Sequence, residues 1–168
     1  MKWQQLGDTH CPVGQAASLL GDRWTLLILR ELFLGARRFD EFEAAIGLSP
    51  HLLSLRLKRL VAEGILRREG TTRPLYRLTE QGRALQPVIL TMAAWGNRWR
   101  VGPEPAIRHR HTACGADFTP VLCCSECGEP VGLDVEAHVD GSLQAERAGQ
   151  VEAFRERRRL TARAASDR

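Results

Sequence analysis

Four residues in the C-terminal half of the chain have the types and spacing of metal ligands. Two residues separate His111 from Cys114, two separate Cys124 from Cys127, and a glycine follows each pair. This pattern is typical of a zinc knuckle, in which two ligands lie on a tight turn and the glycine lets backbone amides point at thiolate sulfur. Two knuckles supply the four tetrahedral ligands that zinc prefers, so the spacing predicts a structural zinc site.

Neighbouring residues leave the ligand set open. Cys123 or His109 could take the place of His111, and a ribbon that holds free thiols or a Cys–Cys bridge is the alternative to a metal site. An iron–sulfur cluster is disfavoured because one of its thiolates would be an imidazole. A thiol oxidoreductase that uses Cys124 and Cys127 is a further alternative, although no thioredoxin-like strand–helix pattern surrounds this pair.

Cys11 is a candidate for a different chemistry. It directly precedes Pro12 at the start of a predicted helix, where the free amides of the first turn can stabilise a thiolate. Cys11 is therefore a candidate redox sensor, and the alternative is a small residue buried in a helix interface. Five cysteines in a chain whose N-terminus lacks the apolar centre of a signal peptide do not indicate a disulfide framework.

Positive charge is concentrated in one stretch of the chain. Residues 49–77 carry seven Lys/Arg and two Asp/Glu, whereas residues 103–154 carry three and nine. This distribution favours a polyanion partner for one face of the molecule. The candidate DNA contacts in the basic stretch are Ser49, His51, Ser54, Arg56, Lys58, Arg59, Arg67, Arg68 and Arg73.

A helix is expected to position the first six of these candidates. Ser49 is a favourable N-cap, Pro50 suits the first helical position, and Gly64 stops the helix. Three apolar residues recur at helical spacing and predict a buried stripe, namely Leu53, Leu57 and Leu60. The polar and basic residues then fall mainly on the other faces of the helix.

Two short strands are expected to position the remaining candidates. The strands, at Ile65–Arg68 and Pro74–Leu78, flank a turn at residues 70–73. A short helix at Phe39–Ile46 precedes the capped helix, and Gly47-Leu48 forms the turn between them. A helix, a turn that contains glycine, a second helix and a basic hairpin are the layout of a winged helix-turn-helix that binds DNA.

Further helices are predicted on both sides of this motif. Cys11–Leu34 should form two helices separated by Gly21-Asp22, and Thr79 to about Arg100 should form one long helix. The long helix carries an apolar stripe made of Leu85, Val88, Ile89, Met92, Trp95 and Trp99. This stripe packs either on the chain's own N-terminal helices or on a second subunit, and its width favours the second subunit.

The predicted fold class is mainly α with a small β-hairpin (α+β). The predicted domains are a winged helix-turn-helix DNA-binding and dimerisation domain at residues 1–102, a zinc-ribbon-like unit at residues 103–140, and a charged tail, helical or disordered, at residues 141–168. No apolar run approaches the roughly 18 residues of a membrane span, so we expect a cytoplasmic protein without a membrane partner. No Ser/His/Asp arrangement, phosphate-binding glycine loop or paired acidic site indicates an enzyme.

The segment from Cys11 to about Trp99 resembles the HxlR-type winged helix-turn-helix family, relatives of the MarR regulators. The motifs that carry the resemblance are, in order, Cys-Pro, Asp-Arg-Trp, Arg-Phe-x-Glu-Phe, Ser-Pro-x-x-Leu-Ser-x-Arg-Leu and Tyr-x-Leu-Thr-x-x-Gly. The resemblance implies a homodimeric transcriptional regulator whose N-terminal and long C-terminal helices form the dimer. It also implies that Cys11 occupies the position at which some members sense electrophiles or oxidants. The Cys/His ribbon is not part of the minimal family pattern.

The chain is therefore predicted to be a homodimeric repressor that binds double-stranded DNA. Its two recognition helices would enter successive major grooves of a pseudo-palindromic operator, about 34 Å apart. The expected contacts with base edges or nearby phosphates are His51, Ser54 and Arg56. The expected phosphate contacts are Lys58, Arg59, Arg67 and Arg68, with Arg73 reaching the minor groove or the backbone.

These assignments have structural alternatives. Arg56 can instead tie its helix to Glu31 or Glu43, and His51 and Lys58 can be solvated surface residues. For the chain as a whole, the alternatives are the thiol oxidoreductase and an adaptor whose acidic ribbon recruits a protein partner. The sequence names neither the operator nor the inducer.

Overall fold

The computed structural model describes residues 7–166, with side chains up to residue 162. The described elements are α1 (Pro12–Leu20), α2 (Arg23–Leu34), α3 (Phe39–Ile46), α4 (Pro50–Ala62), β1 (Leu66–Glu69), β2 (Leu75–Leu78), α5 (Glu80–Arg83), α6 (Gln86–Trp99), β3 (His109–Arg110), β4 (Asp117–Phe118) and α7 (Gly141–Ser166). The predicted fold class, mainly helical with a small β-hairpin, is confirmed.

The chain divides into two compact units. One unit is Arg23–Asp134. The other unit consists of the segment before Arg23 together with the segment after Asp134. The domain boundaries at residues 102 and 140 stay a prediction of the sequence. Within the described part of the chain, no helix is both long and apolar enough to cross a membrane.

The hydrophobic core of the Arg23–Asp134 unit lies among α2, α3, α4 and the β1–β2 hairpin. Its fully or almost fully buried side chains are Ile28, Leu29, Leu32, Phe42, Leu53, Leu57, Leu60, Ile65 and Leu66. The ring of Phe42 meets that of Tyr76 edge to face, with 6.2 Å between centroids. The predicted leucine stripe is thus confirmed as the buried face of α4.

Local chemistry sets both ends of α4. The Ser49 hydroxyl accepts a bond from the amide of Leu52 at 3.5 Å, and Pro50 occupies the first turn, where its missing N–H costs nothing. Gly47, with φ of 69°, makes the left-handed turn from α3, and Gly64, with φ of 72°, makes the turn into the hairpin. Glycine suits both turns because it lacks the Cβ that disfavours positive φ.

The hairpin is tied to the short helix that follows it. β1 and β2 pair antiparallel, with Leu66 opposite Leu78 and Glu69 opposite Leu75. The Thr79 hydroxyl donates to the carbonyl of Gly64 at 2.6 Å and accepts from the amide of Gly82. A Cβ on Gly82 would lie 2.2 Å from the carbonyl oxygen of Ile65. No other residue fits there without moving the backbone, which explains the Thr-x-x-Gly spacing.

The prediction of one long helix from Thr79 to about Arg100 is wrong. The structure contains two helices, since α5 ends at Arg83 and α6 begins at Gln86. Pro87 lies in the first turn of α6. A proline inside a continuous helix would lack its hydrogen bond and its ring would clash with the preceding turn, so the chain restarts the helix there instead.

The second unit contains α1 and α7. Asp140 caps α7 by accepting from the Leu143 amide at 2.9 Å and from the Ser142 hydroxyl at 2.7 Å, and these bonds hold the pKa of Asp140 below its usual value. α7 therefore starts at Gly141, so the tail predicted to be helical or disordered is helical as far as Ser166. Glu146 then accepts from the Thr9 hydroxyl at 2.5 Å and from the His10 amide at 2.8 Å, which joins α7 to the segment before α1.

Candidate nucleic-acid interface

The outward face of α4 lies opposite its leucine stripe. At about 100° per residue, His51, Leu55 and Lys58 fall on one line of the helix, and all three are exposed. Leu55 is 43% exposed, and its neighbour Leu52 is 39% exposed. The centre of this face therefore combines an imidazole, an ammonium group and apolar surface.

Leu52 and Leu55 were not among the residues predicted to contact DNA. Neither leucine was assigned to a face of the helix, although the positions of Leu53, Leu57 and Leu60 place Leu55 on the opposite side. An exposed apolar side chain on a recognition helix can contact the methyl group of thymine in the major groove. Helical spacing alone was the signal that could have identified Leu55.

Ser54 and Arg56 lie closer to the core than His51 does. Both residues are half-buried, and the Nε atom of Arg56 is buried. Arg56 follows the exposed Leu55 and precedes the fully buried Leu57, so it stands at the border of the two faces. The assignment of base contacts to Ser54 and Arg56 stays a prediction.

Two arginines of the hairpin share one carboxylate. The Nε atom of Arg67 lies 3.1 Å from Glu69 Oε1, and the Nε atom of Arg77 lies 2.7 Å from Glu69 Oε2. The hydrogen bond and the positive charge of Arg77, and then the positive charge of Arg67, hold the pKa of the Glu69 carboxyl below its usual range. Glu69 is thus ionised at neutral pH and offsets part of the positive charge of the hairpin.

The hairpin tip presents two further cations. Arg68 donates to the carbonyl of Thr71 at 3.2 Å, which holds its side chain along the turn. The Arg73 side chain is 77% exposed, and its guanidinium lies 3.9 Å from Asp40. Solvent-exposed pairs at this separation are weak, so a phosphate can replace the carboxylate.

Backbone contacts fix the hairpin relative to the helix-turn-helix. Glu41 accepts from the amides of Arg37 at 2.6 Å and Arg38 at 2.9 Å, and these two bonds lower the pKa of its carboxyl. The amide of Tyr76 donates to the carbonyl of Arg37 at 2.8 Å. The start of α3 is therefore bonded to β2, so α4 and the hairpin are presented together.

Cys11 lies at the N-terminal end of α1. Its Sγ atom accepts from the amide of Gly14 at 3.4 Å, and its own amide donates to the Thr9 hydroxyl at 3.1 Å. The residue is half-buried and forms no disulfide. Its predicted position at a helix start is confirmed, whereas its role as a sensor stays a prediction.

The four predicted metal ligands form two separate pairs. His111 Nδ1 lies 3.4 Å from Cys114 Sγ. Hydrogen bonds to the backbone amides of Cys127 and Glu126, and to the Cys127 side chain, lower the pKa of the Cys124 thiol. In the part of the chain that the structure describes, no three His, Cys, Asp or Glu side chains come together as a possible metal-ligand set. Each pair is as the spacing predicts, but the structure does not bring the two pairs together.

The winged helix-turn-helix geometry agrees with a family comparison. A family model described as HxlR-like helix-turn-helix matches residues 19–103. The chain belongs to this family. Members are transcriptional regulators of the helix-turn-helix type, which bind DNA, so the protein is a regulator and not an enzyme. The family match gives no support to the thiol oxidoreductase alternative.

Two related proteins support the assignment. The chain is 44% identical to the HTH-type transcriptional regulator Rv3095 of Mycobacterium tuberculosis over 124 residues, which is 71% of this chain and 78% of the relative. It is 40% identical to the HTH-type transcriptional regulator YodB of Bacillus subtilis over 100 residues, which is 56% of this chain and 89% of the relative. The first match is longer than the segment that the family model covers.

A solved structure extends the similarity beyond the family segment. The crystal structure of PA1607, a candidate transcription factor, is 31% identical and matches with a TM-score of 0.71. The match covers 80% of this chain and 98% of PA1607. This chain and PA1607 therefore share one fold over the matched length.

Removing the carboxylate of Glu69 should tighten DNA binding. Glu69→Gln removes a negative charge from the hairpin and leaves Arg67 and Arg77 available to phosphates. We expect higher affinity for all duplexes, with a log–log salt slope that steepens by about 0.9 for each new phosphate contact. Fluorescence anisotropy over a range of salt concentrations measures both quantities.

The control for this variant is Glu104→Gln, which makes the same charge change outside the hairpin. If the two variants tighten binding to the same extent, the contacts between Glu69 and the two arginines do not limit DNA affinity.

Truncating Leu55 should weaken sequence-specific binding. Leu55→Ala removes apolar surface from the outward face of α4 but little from the core, so the unfolding temperature should change little. We expect roughly fivefold weaker operator binding, or about 1 kcal/mol, the lower end for a base contact. Binding to unrelated duplexes should be unchanged.

Lys58→Ala is the matched comparison because it alters the same face at a residue expected to contact phosphate. It should weaken binding to operator and unrelated duplexes alike. Equal losses on both kinds of duplex for Leu55→Ala would remove its assignment as a base-reading residue.

Proposed function

We propose that two copies of the chain bind one pseudo-palindromic operator and repress transcription there, in the cytoplasm. The observation that carries this proposal is the exposed apolar face of α6. Val88, Met92, Trp95 and Trp99 recur at intervals of four, three and four residues and so share one line of the helix. They are 41%, 48%, 58% and 62% exposed, respectively.

A second copy of the chain is the partner that fits this face. α6 packs on α2 on its inner side, so its outer line is left for another contact. An apolar line presented identically by two copies is self-complementary about a two-fold axis, which is the commonest symmetry of soluble oligomers. Exposed contiguous apolar surface of this kind typically marks a protein–protein interface.

Pairing also gives the outward face of α4 its specificity. One recognition helix reads only a few base pairs, whereas a dimer places two of them about 34 Å apart in successive major grooves. A dimer seated on an operator that overlaps a promoter excludes RNA polymerase from it, and this exclusion is the simplest route to repression.

A charge placed on the α6 face should break the dimer. Trp95→Glu puts a carboxylate in the apolar line, where burial without a partner is costly. We expect a monomer by analytical ultracentrifugation, an unchanged helical circular dichroism spectrum, and at least about tenfold weaker binding to a two-half-site operator, or about 1.4 kcal/mol.

Leu133→Glu is the control, because Leu133 is fully exposed and lies outside α6. This variant should remain dimeric. If Trp95→Glu is also dimeric, the α6 face is not the subunit interface. If the wild-type chain is monomeric and protects a single half-site in a footprint, the dimeric mode of binding is wrong.

We further propose that Cys11 makes DNA binding responsive to electrophiles. The Cys11 thiol is half-buried and caps α1 through its bond to the Gly14 amide. Addition to a quinone forms an S–C bond. The thiol proton goes to one quinone oxygen and the hydrogen of the attacked ring carbon moves as a proton to the other, which gives a substituted hydroquinone. The bulky adduct cannot keep the cap geometry, so α1 must shift.

A serine at position 11 should keep the fold and lose the response. Serine is a preferred N-cap, so Cys11→Ser should bind the operator as the wild type does. We expect benzoquinone to release the wild-type protein from DNA and to leave Cys11→Ser bound, as measured by anisotropy. Equal release of both proteins would assign the response to the other thiols.

A further inference from the structure

The turn that contains His111 and Cys114 is closed by two backbone hydrogen bonds. The amide of Gly115 donates to the carbonyl of His111 at 2.7 Å, and the amide of His111 donates to the carbonyl of Ala116 at 2.9 Å. Gly115 has φ of 72°. Its left-handed conformation ends the turn immediately after the second candidate ligand.

The turn that contains Cys124 and Cys127 repeats this arrangement. The amide of Gly128 donates to the carbonyl of Cys124 at 2.9 Å, and the amide of Cys124 donates to the carbonyl of Glu129 at 2.9 Å. Gly128 has φ of 75°. The two turns thus have the same residue offsets and the same two bonds, although their sequences share only the second cysteine and the glycine.

Each turn is the tip of a hairpin. β3 and β4 flank the first turn, with His109 opposite Phe118. Around the second turn Cys123 pairs with Pro130, and the Val131 amide donates to the carbonyl of Leu122 at 2.8 Å. The ring of Phe118 meets that of His111 edge to face, 6.1 Å between centroids, which holds the imidazole at the tip.

These two hairpins have almost no hydrophobic core. Phe118 is 38% exposed, and Val121, Leu122 and Leu133 are each at least 61% exposed. The strands β3 and β4 are only two residues long. A segment of fewer than about 40 residues cannot hold its fold by apolar burial alone and needs a disulfide, a metal or a partner. All five cysteines are free, so no disulfide serves as this crosslink.

We propose that one divalent ion of the zinc class crosslinks the two hairpin tips through His111 Nδ1 and the thiolates of Cys114, Cys124 and Cys127. These three thiolates and one imidazole are a tetrahedral donor set that zinc favours. The His111 and Cys114 donors already lie 3.4 Å apart, the separation of two ligands on one metal. Because the two pairs stand apart, binding draws the tips together and releases the thiol protons to solvent.

The crosslinked hairpins would steady the end of α6. The Asn97 side chain donates to the carbonyl of Ile107 at 2.8 Å, which ties the last turns of α6 to the strand that leads into the first tip. Trp95 and Trp99 line the same groove as Ile107 and Phe118. Metal binding at the tips therefore restricts the surroundings of both indoles, and their emission is a readout that does not depend on DNA binding.

The test uses the full chain, purified without chelator and dialysed against metal-free buffer. We expect one zinc per chain by elemental analysis. Cobalt(II) added to the metal-free chain should give the visible bands of a tetrahedral thiolate site and change the tryptophan emission. Of the five thiols, Cys11 and Cys123 should react rapidly with a thiol reagent, and the other three only after a chelator is added.

Two matched pairs of variants separate the ligands from their neighbours. Cys124→Ser and His111→Ala should lose the metal, whereas Cys123→Ser and His109→Ala should retain it. Circular dichroism checks that the helical part of every variant remains folded.

Three results would each overturn the proposal. One is a dialysed wild-type chain that holds no metal and gives no tetrahedral cobalt spectrum. Another is five thiols that react at the same rate before chelation. The third is loss of metal in Cys123→Ser together with its retention in Cys124→Ser. None of these results depends on whether the chain represses transcription.

Discussion

Burial of one leucine stripe determines which face of α4 meets the solvent. Leu53, Leu57 and Leu60 are at most 1% exposed. Each contributes about 1.5–3 kcal/mol relative to an exposed side chain. Turning α4 by one residue, about 100°, would expose this stripe and bury Lys58 without a partner, so the orientation of the helix is fixed before any ligand binds. The outward line of His51, Leu55 and Lys58 follows from that constraint, and so does the half-buried position of Arg56.

The charged side chains of the hairpin differ from the leucine stripe because they are exposed to solvent. The ion pairs of Glu69 with Arg67 and Arg77 are solvent-exposed, so they contribute little to stability. They can be exchanged for phosphate contacts at a correspondingly small cost. The orientation of α4 is fixed, which suits base recognition. The hairpin arginines can exchange their partners, which suits an adjustable affinity for DNA.

Apolar burial is unevenly distributed along the chain. The part from α2 to β2 encloses its own core, whereas the outer line of α6 and the two C-terminal hairpins leave large side chains in solvent. Regions that cannot bury their apolar surface alone depend on something outside themselves. We propose a second copy of the chain for α6 and a metal ion for the hairpins. The protein therefore combines a part from α2 to β2 that encloses its own core with two parts whose apolar side chains are left exposed.

The sequence by itself determined the features that arise from neighbouring residues. Capping at Ser49, the helix at Phe39–Ile46, the leucine spacing and the knuckle turns all depend on contacts within a few positions, and each is found where it was predicted. The prediction of a single long helix after Thr79 was wrong because the apolar periodicity was given more weight than the break that Pro87 indicates. Pro87 is itself a local signal. Tertiary structure alone decided that Glu69 would hold two arginines, that Arg56 would sit at the edge of the core, and that Glu146 would meet Thr9, 137 residues away. Those outcomes depend on which surfaces meet after folding. Hydrophobic packing decides which surfaces meet, and because it is not directional, residue spacing along the chain does not reveal these contacts.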